Sequence, residues 1–433
     1  MGATGHAPGS PGRPLRGQGL WAASLGGIVE SFDWSIYVLL VPYFSGQVIA
    51  EGTAGRLISY AGFTIGFVVR PLGSVLLGRF SDRRGRRAGM LLSMTVVAAG
   101  SVALALLPTA GCMRTAAVLL FVVRIVQGLA VGSEHATVAA YVTETAPPRH
   151  RLLYSGVSYC GVIFGNVLCY LVLAILLAWL GPQGMYQGGW RAGFAVGGLL
   201  GLMAVLVRRW AFESPEFLAH RSRKPASIAG ATNRAWGTDV RRNATAVFLM
   251  TAGLTSGYYL TIAYLPEYVR HSGGTVDTQS TAAMVAPLLV LLAAMTATGA
   301  LADVGGARQV FRAGMLLTAL VTGPAYATIS SRLFAPWIAA AVILTCLAGP
   351  LATAHVFFAS LFPVHVRVVA MGLPLTTSTA FFGGTFPLLA EALTDAGHVS
   401  MIPWCASAAS VLSLAATWLV REAPTHTPRH RTL

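Results

Sequence analysis

Twelve apolar stretches, each long enough to cross a lipid bilayer as a helix, occupy most of this 433-residue chain. Only 10% of the residues are charged, against roughly 25% in soluble domains. This pattern excludes a soluble globule and leaves little chain for a soluble catalytic module, so it predicts an all-α membrane protein. The helices are predicted near 20–44, 56–78, 88–108, 115–141, 152–180, 190–210, 244–269, 280–301, 310–329, 333–358, 367–391 and 398–420.

The basic residues in the gaps between these stretches predict how the helices are oriented. Of the 30 Lys and Arg residues, 23 fall in gaps on the side of the N-terminus and five in gaps on the other side. Because cytoplasmic loops carry an excess of Lys and Arg, both termini are expected in the cytoplasm of a multi-pass protein of the cell inner (plasma) membrane. Charge confined to such gaps is topological, and no nucleic-acid partner is expected.

The longest polar stretch divides the chain into halves of similar size. We expect a disordered cytoplasmic leader at 1–18, a six-helix bundle at 19–210, a central cytoplasmic loop at 211–243, a second six-helix bundle at 244–420 and a cytoplasmic tail at 421–433. A repeat supports this division, because Gly78-x3-Asp82-x2-Gly85 recurs as Gly299-x3-Asp303-x2-Gly306. Parallel repeats related by an axis along the membrane normal occur in transporters, with the substrate between the halves.

The first copy of this repeat, Gly78-Arg-Phe-Ser-Asp82-Arg-Arg-Gly85-Arg86-Arg87, resembles the signature loop of the major facilitator superfamily. The resemblance implies the twelve-helix fold of that family, with two six-helix bundles related by a pseudo-two-fold axis along the membrane normal. It also implies that Asp82, Arg86 and Arg87, with Gly78 and Gly85, form a conformational latch at the cytoplasmic ends of the bundles. A purely topological arginine cluster is the alternative. The second copy has Ala307 in place of the first arginine, which favours the first-half contact.

Four further motifs are similar to the metabolite:proton symporter branch of that superfamily, whose members carry carboxylates or zwitterionic osmolytes with protons. They are Glu30-Ser-Phe-Asp33-Trp34-x2-Tyr37, Arg70-Pro-Leu-Gly73, Val131-Gly-Ser-Glu134-His135 and Tyr258-Tyr259-x4-Tyr264-Leu-Pro266. One departure concerns the fourth helix, where Gly132-Ser-Glu134-His135-Ala136-Thr137 stands in place of G-G-E-Y-G-G.

Ionisable residues inside the predicted spans mark the candidate site. Each costs about 2.5–3.5 kcal/mol on insertion scales, so it requires a partner, an aqueous cavity or a function. Side-chain spacing at 100° per residue places them in two polar stripes, which we expect to face a central cavity. The proton-coupling candidates are Glu30, Asp33, Glu134 and His135. Desolvation favours the protonated form of Glu30 or Asp33, and an approaching Arg124 favours the carboxylate. A structural network of neutralising charges is the alternative.

The substrate is expected to contact side chains of both bundles. Arg124 is the candidate for the substrate's negative group, because a guanidinium holds a carboxylate bidentately. Arg70 remains open between a substrate contact and a structural role, and His355 has no assigned role. The other substrate-binding candidates are Tyr37, Gln127, Tyr258, Tyr259 and Tyr264, for which aromatic packing is the alternative.

These observations predict a proton-coupled symporter that imports a small organic anion, a mono- or dicarboxylate, by alternating access as a monomer in the lipid bilayer. The alternatives are a proton-coupled antiporter that exports a metabolite or drug, and a symporter of a zwitterionic osmolyte. No enzymatic activity, cofactor or metal is expected. The only lysine, Lys224, lies in Arg-Lys-Pro and cannot complete a G-x4-G-K-[ST] phosphate-binding loop.

Overall fold

Long helices make up the chain in a computed structural model that describes residues 16–84, 86–109, 113–209, 238–271, 278–362 and 367–420. Those of the first half are α1 (Arg16–Val48), α2 (Gly52–Val68), α3 (Arg70–Arg84), α4 (Arg86–Ala105), α5 (Met113–Val131), α6 (Glu134–Thr145), α7 (Arg151–Gly184) and α8 (Trp190–Arg208). Those of the second half are α9 (Thr238–Tyr259), α10 (Leu265–His271), α11 (Thr278–Ala283), α12 (Val285–Gly305), α13 (Ala307–Ser330), α14 (Pro336–Ser360), α15 (Arg367–Ser378), α16 (Phe386–Asp395) and α17 (Ile402–Ala416).

These helices make twelve membrane crossings. Within the described ranges, ten continuous helical segments are long and apolar enough to span a bilayer, and one of them, Arg151–Val207, contains two crossings. Gly181, in the last turn of α7, takes a positive φ of 65°, which L-residues with a side chain rarely adopt, so the helix is kinked there and the chain turns towards α8. The segment from α15 through a π-helix (Thr379–Gly384) to α16 adds the last crossing. The prediction of an all-α protein with twelve transmembrane helices is thereby confirmed.

Within each half the helices pack into a bundle. In the first half α1 packs on α7 and α8, and α4 on α5 and α8. In the second half α14 packs on α12 and α13, and α9 on α17. Small residues permit the close approaches: a Cβ on Gly161 would lie 2.6 Å from the Ser24 carbonyl oxygen of α1, as expected where membrane helices pack without a hydrophobic driving force.

The two bundles meet along two seams. One seam joins α7 to α12 and α14, and the other joins α2 and α3 to α15, its following π-helix and α16. We call the side where α1 begins and α17 ends the terminal side. There, the backbone N–H groups of Leu152 and Leu153 donate to the Asp303 carboxylate at 2.8 and 3.1 Å. On the opposite side, Arg56 Nε contacts Glu391 Oε1 at 2.7 Å across the second seam.

Several expectations fall wholly or partly outside the described residues. Of the latch, Gly85 is not described, nor are the side chains of Asp82, Arg86 and Arg87 or the surroundings of Gly78. Most of the expected leader and central loop, and all of the tail, are likewise outside the described ranges, although α1 begins at Arg16 and α9 already at Thr238. The division into domains stays a prediction.

Candidate functional site

The ionisable residues of the first bundle form two separate buried ion pairs. Asp33 and Glu30 both project from α1, but their partners come from different helices. Arg124 of α5 pairs with Asp33, and Arg70 at the start of α3 pairs with Glu30. The indole of Trp34 separates the two guanidinium groups, since its ring centre lies 4.4 Å from the Arg70 Cζ and 5.1 Å from the Arg124 Cζ.

The Asp33–Arg124 pair is enclosed within the first bundle. Arg124 Nη1 donates to Asp33 Oδ2 at 2.9 Å, and both side chains are essentially inaccessible to solvent. Asp33 Oδ1 accepts hydrogen bonds from the Ser101 hydroxyl and, at 3.3 Å, from the Gln127 amide. The Tyr37 ring stacks 4.0 Å from the Arg124 guanidinium. The pair therefore ties α1, α4 and α5 together.

The second pair lies where the bundles meet. Arg70 Nη1 is 3.0 Å from Glu30 Oε1, and His135 Nε2 is 3.5 Å from the same oxygen. The Arg70 guanidinium also lies 3.9 Å from the centre of the Phe67 ring. Glu30 Oε2 has no hydrogen-bond partner within the described part of the chain. A basic residue, an acid and a titratable imidazole thus share one buried site.

Side chains of the second bundle complete this site. The His355 ring of α14 lies 5.9 Å from the His135 ring and 5.0 Å from the Tyr159 ring. Tyr259 of α9 packs edge-on against the Phe67 ring, with the two ring centres 5.5 Å apart. We call the set Glu30, Arg70, His135, Tyr159, Tyr259 and His355 the Glu30 cluster. It contains charged groups of the first bundle and polar groups of the second.

A neighbouring polar network also crosses between the bundles. The Asn166 amide nitrogen of α7 donates to the Tyr258 hydroxyl of α9 at 2.8 Å and to the Ser31 hydroxyl at 2.5 Å. Its amide oxygen accepts from the Ser35 hydroxyl at 2.6 Å. Asn166 is fully buried, and its amide is therefore satisfied by contacts from both bundles.

Four further candidates lie apart from the Glu30 cluster. Tyr37 donates to the Ser59 carbonyl oxygen at 2.8 Å inside the first bundle, beside Arg124, and Gln127 belongs to the Asp33 network. Glu134 accepts from the Ser93 hydroxyl at 3.4 Å. The Tyr264 hydroxyl pairs with Thr394 of α16 inside the second bundle.

A cavity opens between the bundles on the side opposite the termini. Tyr43, Tyr60, Glu267, Arg270 and Trp337 are among the residues that line it. Glu30, Asp33 and Arg124 are not part of this lining. Neither Glu30 nor Asp33 therefore faces this cavity in the conformation observed.

A further hydrogen bond joins the bundles across the second seam, where the Thr64 hydroxyl of α2 donates to the Gly384 carbonyl oxygen at 2.7 Å.

Sequence reasoning missed Ser101, Asn166 and Tyr159 because uncharged polar residues are common in helices and carry no distinguishing signal. His355 was visible as an ionisable residue within a span, but its proximity to His135 depends on how two distant helices pack. Among the described residues no group of three or more His, Cys, Asp or Glu side chains is placed to hold a metal ion.

Comparison with known proteins assigns the chain to a family. A sequence model described as the Major Facilitator Superfamily matches residues 23–297. The α-ketoglutarate permease of Escherichia coli is 29% identical over 91% of this chain and 92% of its own length. The proline/betaine transporter of Salmonella typhimurium is 25% identical over 81% of this chain and 72% of its own length.

Solved structures show the same fold. The proton:xylose symporter XylE, bound to 6-bromo-6-deoxy-D-glucose, superimposes with a TM-score of 0.74 and covers 92% of this chain and 94% of its own, at 18% identity. Its inward-open conformation also matches with a TM-score of 0.74. The family model, the curated relatives and the fold agree: this chain is a membrane transporter, not an enzyme, and belongs to the major facilitator superfamily.

Proposed function

We propose that the protein is a proton-coupled symporter that brings a small organic carboxylate into the cell. The observation that carries this proposal is the Glu30–Arg70 ion pair with His135 beside it, buried where the two bundles meet. A relative named as an α-ketoglutarate permease supports a carboxylate as the substrate. The excess of arginine on the terminal side supports a cytoplasmic location for both termini in the inner membrane.

The proposed coupling follows from charge neutrality. With Glu30 ionised, its charge compensates that of Arg70, and the pair has no net charge to attract an anion. A proton on Glu30 removes the carboxylate charge and leaves the guanidinium uncompensated in a site where lone charges are costly. A substrate carboxylate then neutralises Arg70, because guanidinium and carboxylate form two parallel hydrogen bonds. Proton binding therefore creates the anion site, and neither ligand crosses efficiently without the other.

His135 gives the proton a route to Glu30. Its imidazole lies within 3.5 Å of the Glu30 carboxylate, and a quarter of its side chain is exposed. An imidazole can accept a proton at one nitrogen and release one from the other. The imidazole thus gives the buried acid a partly exposed neighbour through which a proton can enter or leave.

This scheme assigns the anion to Arg70 rather than to Arg124. Arg124 is fully buried and is held by Asp33, and its guanidinium packs against Trp34 and Tyr37 of the first bundle. Arg70 packs on the Phe67 ring, which in turn contacts Tyr259 of the second bundle. We propose that the Asp33–Arg124 pair keeps α1 and α5 in register, so that Glu30 stays in reach of Arg70.

A zwitterionic osmolyte is the second candidate substrate. Relatives named as proline/betaine and ectoine/proline transporters support it, and such compounds also carry a carboxylate for Arg70. The distinguishing feature is the cationic end, which needs an aromatic surface or an acid.

Counterflow in proteoliposomes tests the proposal. Liposomes loaded with one compound are assayed for exchange of radiolabelled 2-oxoglutarate, glutarate, valerate and glycine betaine. We expect exchange of carboxylates, accumulation only under an inward proton gradient, and loss of both in Arg70→Gln. Arg114→Gln, which alters an exposed arginine at the start of α5, is the matched control. Exchange of glycine betaine alone would favour the osmolyte, and full carboxylate transport by Arg70→Gln would remove Arg70 from the site.

A further inference from the structure

His355 is a buried polar side chain that takes part in neither the Asp33–Arg124 nor the Glu30–Arg70 ion pair. Its side chain, on α14 of the second bundle, is 4% exposed, and its Nδ1 has no hydrogen-bond partner among the residues described. Buried polar atoms are nearly always paired, so an unpaired one beside a functional site indicates a missing partner.

The surroundings of His355 offer no such partner. The neighbouring rings of Tyr159 and His135 meet it edge-on, with centres 5.0 and 5.9 Å away. The hydroxyl of Thr353, two residues earlier on the same helix, donates to the carbonyl oxygen of Gly349 at 2.9 Å within its own helix. Ring packing therefore holds the imidazole in place, and its Nδ1 is left available for a hydrogen bond.

His355 and Arg70 belong to opposite bundles of one site. Contacts run from Arg70 to Glu30, from Glu30 to His135, and from His135 to the His355 ring. A substrate that alternating access exposes to each side in turn must contact both bundles. With one carboxylate on Arg70, the remainder of a short chain is placed to extend towards α14, from which His355 contributes an imidazole to the Glu30 cluster.

We propose that His355 is a specificity-determining residue that donates a hydrogen bond to the distal carboxylate of a dicarboxylate substrate. This inference rests on the proposed transport function. A distal carboxylate accepts such a bond, which is strengthened by its charge in a site depleted of water. The methyl end of a monocarboxylate offers no acceptor, nor does a quaternary ammonium group, so both leave the imidazole unpaired. The site is thereby selective for dicarboxylates.

The test compares two substrates of equal chain length, glutarate and valerate, which differ only at the distal end. Uptake into proteoliposomes under a fixed inward proton gradient gives kcat/KM for each, and their ratio is independent of the fraction of active carrier. We expect the wild-type ratio to favour glutarate. His355→Leu should lower that ratio about tenfold or more, since it removes a hydrogen bond to a charged group. His355→Gln, which keeps an N–H donor, should retain most of the preference.

His398→Leu, at an exposed histidine on the opposite side, is the matched control and should leave the ratio unchanged. An unaltered ratio in His355→Leu, or equal transport of glutarate and valerate by the wild type, would overturn the assignment of His355 while leaving carboxylate symport intact. Failure of the wild type to transport either compound, with Arg70→Gln equally silent, would instead overturn the proposed function itself.

Discussion

Replacing Glu30 by glutamine removes the charge that neutralises Arg70 while preserving the size of the side chain. A lone cation inside a span costs about 2.5–3.5 kcal/mol. The rings of Trp34 and Phe67, 4.4 and 3.9 Å from the Arg70 Cζ, return about 0.5–1 kcal/mol each through cation–π attraction. The empty carrier should therefore be destabilised by about 0.5–2.5 kcal/mol, and a bound carboxylate should remove that cost.

The same free energy sets the expected gain in affinity. Since each 1.4 kcal/mol corresponds to a factor of ten, Glu30→Gln should bind a carboxylate substrate roughly two- to sixtyfold more tightly than the wild type. Equilibrium binding of a radiolabelled carboxylate to the detergent-solubilised carrier measures this change. Affinity of the wild type should fall as pH rises and Glu30 loses its proton, whereas affinity of the variant should change little with Glu30 out of the titration.

Transport assays distinguish the proposed coupling role of Glu30 from a purely structural role. Glu30→Gln should exchange substrate in counterflow but should not accumulate it under an inward proton gradient. Glu51→Gln, at an exposed acid before α2, should behave as the wild type in both assays. Gradient-driven accumulation by Glu30→Gln at the wild-type level, or substrate affinity below that of the wild type, would refute the reasoning.

Two further perturbations test other contacts. Asp33→Asn leaves the fully buried Arg124 without its charged partner, which should cost about 3–5 kcal/mol and appear as a lower Tm in detergent; an unchanged Tm would show that the pair is dispensable for stability. Arg56→Gln removes the ion pair with Glu391, in which the arginine side chain is partly exposed, so about 0.5–1 kcal/mol of attraction across the second seam is lost. The cavity should then open more often, and a cysteine introduced into its lining by Tyr43→Cys should react about two- to fivefold faster with a thiol reagent. An unchanged rate would show that this ion pair does not hold the cavity closed.

Much of the fold follows from the sequence because the bilayer imposes it. A helix must satisfy its own backbone in hydrocarbon and must be long enough to cross it, so apolar run length alone predicts twelve crossings. The repeat that contains Asp303 is visible because its glycines and its aspartate recur at the same spacing in both halves. The contact of Asp303 is not predictable from that spacing. Its carboxylate accepts hydrogen bonds from the N-terminus of α7, a pairing between halves that no spacing within one half specifies.

The candidate site was predictable in composition but not in pairing. The cost of intramembrane charge directs attention to Glu30, Asp33, Arg70 and Arg124 without any knowledge of the fold. Angular spacing along α1 places Glu30 and Asp33 on the same side of one helix, about 60° apart. It carries no information about the rotation of α3 and α5, and that rotation decides which arginine each acid meets.

Glu30 and Asp33 project about 60° apart around α1, so they contact different helices and can serve different functions. Asp33 turns towards α4 and α5, where three donors hold its carboxylate within the first bundle. Glu30 turns towards α3 and α6 and keeps one carboxylate oxygen unpaired beside the second bundle. The Asp33 carboxylate is thus held by donors on both of its oxygens, whereas the Glu30 carboxylate keeps one oxygen, Oε2, open to a new hydrogen-bond partner. We therefore propose that Glu30 carries the coupled proton, and that the Asp33–Arg124 pair supplies the rigid frame within which protonation of Glu30 leaves the charge of Arg70 uncompensated.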